Sequence, residues 1–94
     1  LYVKTWKAFV GIKEQGLVRT IGVANFLPDH IDRLIAETGV VPAVNQIELH
    51  PAFQQRDVRA YHAANRIQLQ SYSPLGRGTL IDHPVIAGIA AKHG

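Results

Sequence analysis

A unit of strand, polar tip and helix recurs three times in this chain, and that recurrence limits the folds open to it. The first copy is Val18-Arg19-Thr20-Ile21-Gly22-Val23-Ala24-Asn25-Phe26, which turns at Leu27-Pro28 into a helix. Val18, Ile21 and Val23 supply strand-forming side chains, so a strand is expected over Val18–Ala24. Gly22 lets another backbone or a ligand come close. Asn25 puts a carboxamide at the strand's C-terminal end, where parallel α/β folds carry their chemistry.

Ahead of this unit, Tyr2, Trp6, Phe9 and Ile12 recur at helical spacing and predict a helix over residues 2–15, stopped at Gly16. The chain has no initiator Met and is expected to begin in mid-element. After it, Pro28 suits the first position of a helix whose buried stripe is Ile31, Leu34 and Ile35 and whose end is Gly39. A second strand is expected over Ala43–Leu49 and a third helix over about Gln55–Asn65, with Asn65 able to take the left-handed conformation. The third strand is expected over Ile67–Tyr72. A last helix follows Asp82-His83-Pro84 and closes at Gly94.

Strands separated by helices of this length imply parallel pairing through right-handed crossovers. With 94 residues, the chain makes at most one small domain. It carries a net charge of +3, but Lys and Arg are interleaved with acids along its length, which argues against a nucleic-acid surface. It has no cysteine, so a disulfide framework, a thiolate metal site and a thiol nucleophile are excluded. That fits a reducing compartment, and a cytoplasmic location is expected. No apolar run approaches the roughly 20 residues that span a bilayer, so no membrane partner is expected.

Two architectures meet this pattern: a small doubly wound sheet, or part of a βα-barrel. A parallel sheet wants both faces covered, yet Asn45, Gln46 and Glu48 in the second strand and Gln68 and Gln70 in the third are polar. Gly76-Arg77-Gly78 lacks the third glycine of the dinucleotide fingerprint and the lysine of a P-loop. The pattern leans towards the barrel piece.

Three stretches carry a resemblance. Gly16-Leu17-Val18-Arg19-Thr20-Ile21-Gly22-Val23-Ala24-Asn25-Phe26, Pro42-Ala43-Val44-Asn45-Gln46-Ile47-Glu48-Leu49-His50-Pro51 and Tyr72-Ser73-Pro74-Leu75-Gly76 look like the central signatures of the aldo-keto reductases, in the family's order. The wording resembles the bacterial branch that contains the 2,5-diketo-gluconic acid reductases. The resemblance implies an α/β fold, a partial (β/α)8 TIM barrel. Its three parallel strands and alternating helices would correspond to about strands five to seven. A complete barrel needs about 250 residues, so residues 1–94 would be a fragment of a single barrel domain.

The family reduces aldehydes and ketones with NADPH, and its cofactor contacts carry over to named positions. Asn25 resembles the asparagine that holds the nicotinamide carboxamide, and Gln46 its partner from the next strand. Tyr72 resembles the ring that stacks on the nicotinamide. Ser73 and Leu75 match positions that meet the pyrophosphate, and Arg77, which the family pattern does not demand, falls close enough to pair with phosphate. An amide can both donate to and accept from a carboxamide, and a flat ring offers a stacking face. Ala24 departs from the family's Ser or Cys, losing a hydroxyl contact of about 1 kcal/mol.

No catalytic residue is assigned. The family's Asp, Tyr, Lys and His lie on earlier strands, so by resemblance the isolated piece is expected to be inactive. The partner expected in an intact parent is a small carbonyl substrate. The alternative is a non-catalytic half-barrel acting through association, since its outer strands would each present an unpaired edge. Self-association is expected on the same ground. Glu48 and His50, two apart on one strand, fit a buried structural role better than a metal site, and no metal is expected. His30, His62, His83 and His93 are expected to be solvated, and Trp6 to pack between helices.

Overall fold

The computed structural model describes all 94 residues. Its elements run α1 (Tyr2–Glu14), β1 (Val23–Ala24), α2 (Pro28–Thr38), β2 (Val44–Glu48), α3 (Arg56–Ala64), β3 (Gln68–Tyr72), a short 3-10 helix (Gly76–Gly78) and α4 (Pro84–His93). The three strands form one parallel sheet in the order β1-β2-β3. Each crossover carries a helix, as the spacing predicts.

The stops fall where backbone chemistry sets them. Gly16 (φ 77°) and Gly39 (φ 70°) adopt the left-handed conformation just after α1 and α2, which glycine enters without steric cost. Beyond α3 the residue in that conformation is Arg66 (φ 57°), not Asn65, whose φ is −100°.

β1 is much shorter than the expected Val18–Ala24, and register gives the reason. Val23 pairs with Asn45 and Ala24 with Gln46, and Ala43 N–H donates to Ile21 O at 2.9 Å. Residues 18–20 therefore run past the start of β2, alongside a segment where Pro42 has no N–H to give. Gly22 sits where the two backbones come closest: a Cβ there would lie 2.7 Å from Val44 O.

The side chains of β2 alternate. Asn45 and Ile47 are buried towards the helices, and Gln46 is exposed on the opposite face. The core lies on the helix side, built from Trp6, Ile31, Leu34, Ile47 and Ile67. Trp6 packs between helices as expected, its Nε1–H donating to Thr38 Oγ1 at 3.2 Å. The Thr38 hydroxyl in turn donates a hydrogen bond to Leu34 O at 2.7 Å. Tyr61 ties α3 to α2 through a 2.5 Å hydrogen bond from its hydroxyl to Asp32.

Two histidines depart from the expectation that all four are solvated. His62 is fully buried. His30 is half-buried, accepts from Leu27 N–H at 3.1 Å through Nδ1, and meets the Tyr2 and Phe26 rings edge-on. His62 fills the space between α3 and β2, and His30 caps the start of α2 against α1.

The radius of gyration is 16.7 Å, against about 12 Å for a closed domain of this length. The face of the sheet away from the helices, carrying Gln46, Gln68 and Gln70, is open to solvent. No helix is long and apolar enough to cross a membrane.

Candidate cofactor site

Parallel register decides which residues share a face. Gln46 lies opposite Gln70, and Glu48 opposite Tyr72, so all four project from the sheet face away from the core. Gln46 Nε2 donates to Gln70 Oε1 at 3.2 Å. That bond leaves its other N–H and its carbonyl oxygen uncommitted.

Asn25 follows β1 directly, in the left-handed conformation (φ 59°), which asparagine enters more readily than most residues. Its N–H donates to Gln46 O at 2.9 Å. Its own carboxamide is exposed and has no protein partner. Asn25 and Tyr72 line one hollow of about 160 Å³ at the C-terminal ends of the strands, with Glu48 and Gln55. Gln46 opens instead onto a trench of about 660 Å³ along the free edge of β1, beside Gln70, Val44 and Trp6. The first amide and the phenol therefore meet at one rim, and the second amide stands two residues further down Tyr72's face.

The segment after β3 carries the other three candidates. Ser73 is half-buried with φ 48°, and Arg77 is exposed with φ 57°. Gly76 N–H donates to Ser73 O and Gly78 N–H to Leu75 O, while the N–H groups of Leu75 and Arg77 donate to no protein acceptor. A turn with unpaired N–H groups and an arginine suits an anion. Leu75 turns its side chain away, into an apolar hollow of about 360 Å³ with Leu80, Ile86 and Ile89.

Glu48 and His50 are neighbours, with His50 Nε2 3.2 Å from Glu48 Oε1. No group of three or more potential metal-ligating side chains comes together. The residues that sequence reasoning passed over are Asn45 and His62, both fully buried and 2.9 Å apart. The available signal was a polar residue of β2 on the opposite parity to Gln46.

Parallel βα units, with amides and a phenol at the strand ends, define a sector of a (β/α)8 barrel. The chain belongs to the aldo/keto reductase family, whose profile matches residues 2–85. It is 54% identical over 93 residues to an aldo-keto reductase of Mycolicibacterium smegmatis, covering 99% of this chain and 34% of that protein. It is 47% identical to the methylglyoxal reductase DkgA of Escherichia coli K12, covering 99% of this chain and again 34% of the relative. Among solved structures, a mutant of Gox0644 in complex with NADPH superposes with a TM-score of 0.94 at 50% identity, covering 97% of this chain and 34% of that one. The chain thus spans about a third of the length of the relatives it matches.

Proposed function

We propose that this chain supplies the nicotinamide-side wall of an NADPH site in a reductase of small aldehydes and ketones, working in the cytoplasm. The observation that carries the reading is the shared rim: Asn25 and Tyr72 line one hollow, and Gln46 stands on the face of Tyr72. The residues fit the cofactor. The Asn25 carboxamide is free of protein partners, and Gln46 keeps a donor and an acceptor, so together they can hold the nicotinamide carboxamide. The half-buried Tyr72 ring offers a face to stack on. Ser73 and the free N–H groups of Leu75 and Arg77 suit the pyrophosphate, with the Arg77 guanidinium beside it. Leu75 would act through its backbone, since its side chain belongs to the α4 hollow.

NADPH, when bound, supplies the hydride. These residues bind and orient its nicotinamide, and they provide no proton donor for the carbonyl oxygen. A piece with this content is inactive alone.

The test is Gln46→Ala in a full-length reductase containing this segment. NADPH affinity, read by fluorescence titration, should fall by about tenfold, as for the loss of hydrogen bonds worth 1–2 kcal/mol, with carbonyl affinity little changed. Unchanged NADPH affinity removes Gln46 from the site.

One observation favours a second reading, association without catalysis. The outer edge of β1 has no neighbouring strand and borders the 660 Å³ trench, which suits an added segment or a second copy of the chain.

A further inference from the structure

We propose that Asn45 and His62 are positioning residues for the cofactor, fixing the turn that presents Asn25. The inference rests on the reading of Asn25 as a nicotinamide ligand.

Asn45 belongs to β2 and His62 to α3, and both are 0% exposed. The Asn45 carboxamide is spent on three contacts. Its Oδ1 accepts from Phe26 N–H at 3.4 Å, its Nδ2 donates to Phe26 O at 2.9 Å, and the same Nδ2 lies 2.9 Å from His62 Nε2. One side chain thus answers both polar groups of Phe26, the second residue beyond β1. It stands in for a ladder partner where the ladder has ended.

His62 is oriented in turn by its own helix. Nδ1 lies 2.5 Å from Val58 O, four residues earlier. A carbonyl oxygen can only accept, so the ring proton is on Nδ1 and the lone pair of Nε2 faces the Asn45 amide. The contacts form a single line from the α3 backbone through His62 and Asn45 to Phe26.

Asn25 is the next residue along, and it needs that line. It holds a left-handed φ of 59°, and its carboxamide bonds nothing in the protein. Its conformation is set by the backbone on either side: its own N–H on Gln46 O, and the Phe26 peptide on Asn45. If the lone pair at His62 is removed, the Asn45 amide keeps a buried proton without an acceptor. The carboxamide then rotates or shifts, and the Phe26 peptide and Asn25 move with it.

The experiment compares His62→Leu, His62→Gln and Asn25→Ala in a full-length reductase containing this segment. Dissociation constants are measured for NADPH and for adenosine bisphosphate, the part of the cofactor that lacks the nicotinamide. His62→Leu should weaken NADPH about tenfold and leave adenosine bisphosphate unchanged. His62→Gln, which keeps an acceptor for Asn45, should recover most of the loss. Should the leucine variant fail to fold, His62→Asn, too short to reach Asn45, carries the same comparison. Equal losses for both ligands, or no loss for either, overturn the positioning role. Unchanged NADPH affinity in Asn25→Ala overturns the cofactor reading itself. A loss there without one in His62→Leu overturns this inference alone.

Discussion

Gln46 and Gln70 face each other across β2 and β3 as two carboxamides joined by a 3.2 Å hydrogen bond. Gln70 thereby holds a side chain proposed as a cofactor contact, without being proposed as one itself. In a full-length reductase, Gln70→Ala should weaken NADPH binding by about fivefold, the loss of one hydrogen bond near 1 kcal/mol. That is less than for Gln46→Ala, and the same fluorescence titration measures both. A double variant no weaker than Gln46→Ala alone would show that Gln70 acts only through Gln46.

Gly22 and Gly11 make opposite predictions for one substitution. A Cβ at Gly22 meets Val44 O at 2.7 Å, and neither backbone yields cheaply, so Gly22→Ala should destabilise by about 1–3 kcal/mol. A Cβ at Gly11 meets nothing within 4 Å. Gly11 lies inside α1, where alanine is favoured by about 1 kcal/mol. Urea or thermal unfolding of the two variants should move the midpoint in opposite directions.

Much of this fold is legible in the sequence because its punctuation is local. Gly16, Pro28, Gly39 and Pro84 stop or start helices through their own backbone preferences, and β-branched residues mark the strands between them. What escapes is whatever depends on register. The length of β1 is set by where β2 begins, so Val18 to Thr20 look like strand and find no partner. Asn45 and Gln46 are adjacent amides, and only the paired sheet turns one into the core and the other out of it. Resemblance selected Gln46. It offered nothing on Asn45, or on a helix histidine seventeen residues later that completes its hydrogen bonding.

The Tyr61–Asp32 contact predicts behaviour at alkaline pH. Burial, the hydrogen bond to Asp32 and the Asp32 charge, in that order, raise the Tyr61 pKa from 10.0 to about 12. A raised pKa means that folding favours the neutral phenol. The contribution to stability is therefore complete below about pH 10 and is lost as pH rises through about 12. Tyrosinate absorbance should show a step near pH 12 that disappears in Tyr61→Phe and moves to lower pH in Asp32→Asn. A Tyr61 step that does not respond to Asp32→Asn would remove the carboxylate as a cause.

The isolated chain makes the last prediction. Its radius of gyration exceeds that of a closed domain of its length, the edge of β1 borders a trench of about 660 Å³, and Phe9, Leu27 and Phe53 are among its exposed large apolar side chains. Exposed apolar surface and an unpaired strand edge both promote association. Light scattering at micromolar concentration should find oligomers or aggregates, and a clean monomer would count against the open edge as an interaction surface. With NADPH and p-nitrobenzaldehyde the same sample should turn over no faster than buffer. On the proposed reading its strand-end residues orient a nicotinamide and supply no proton to the carbonyl oxygen, so turnover above that control would mean that a proton donor lies within these 94 residues.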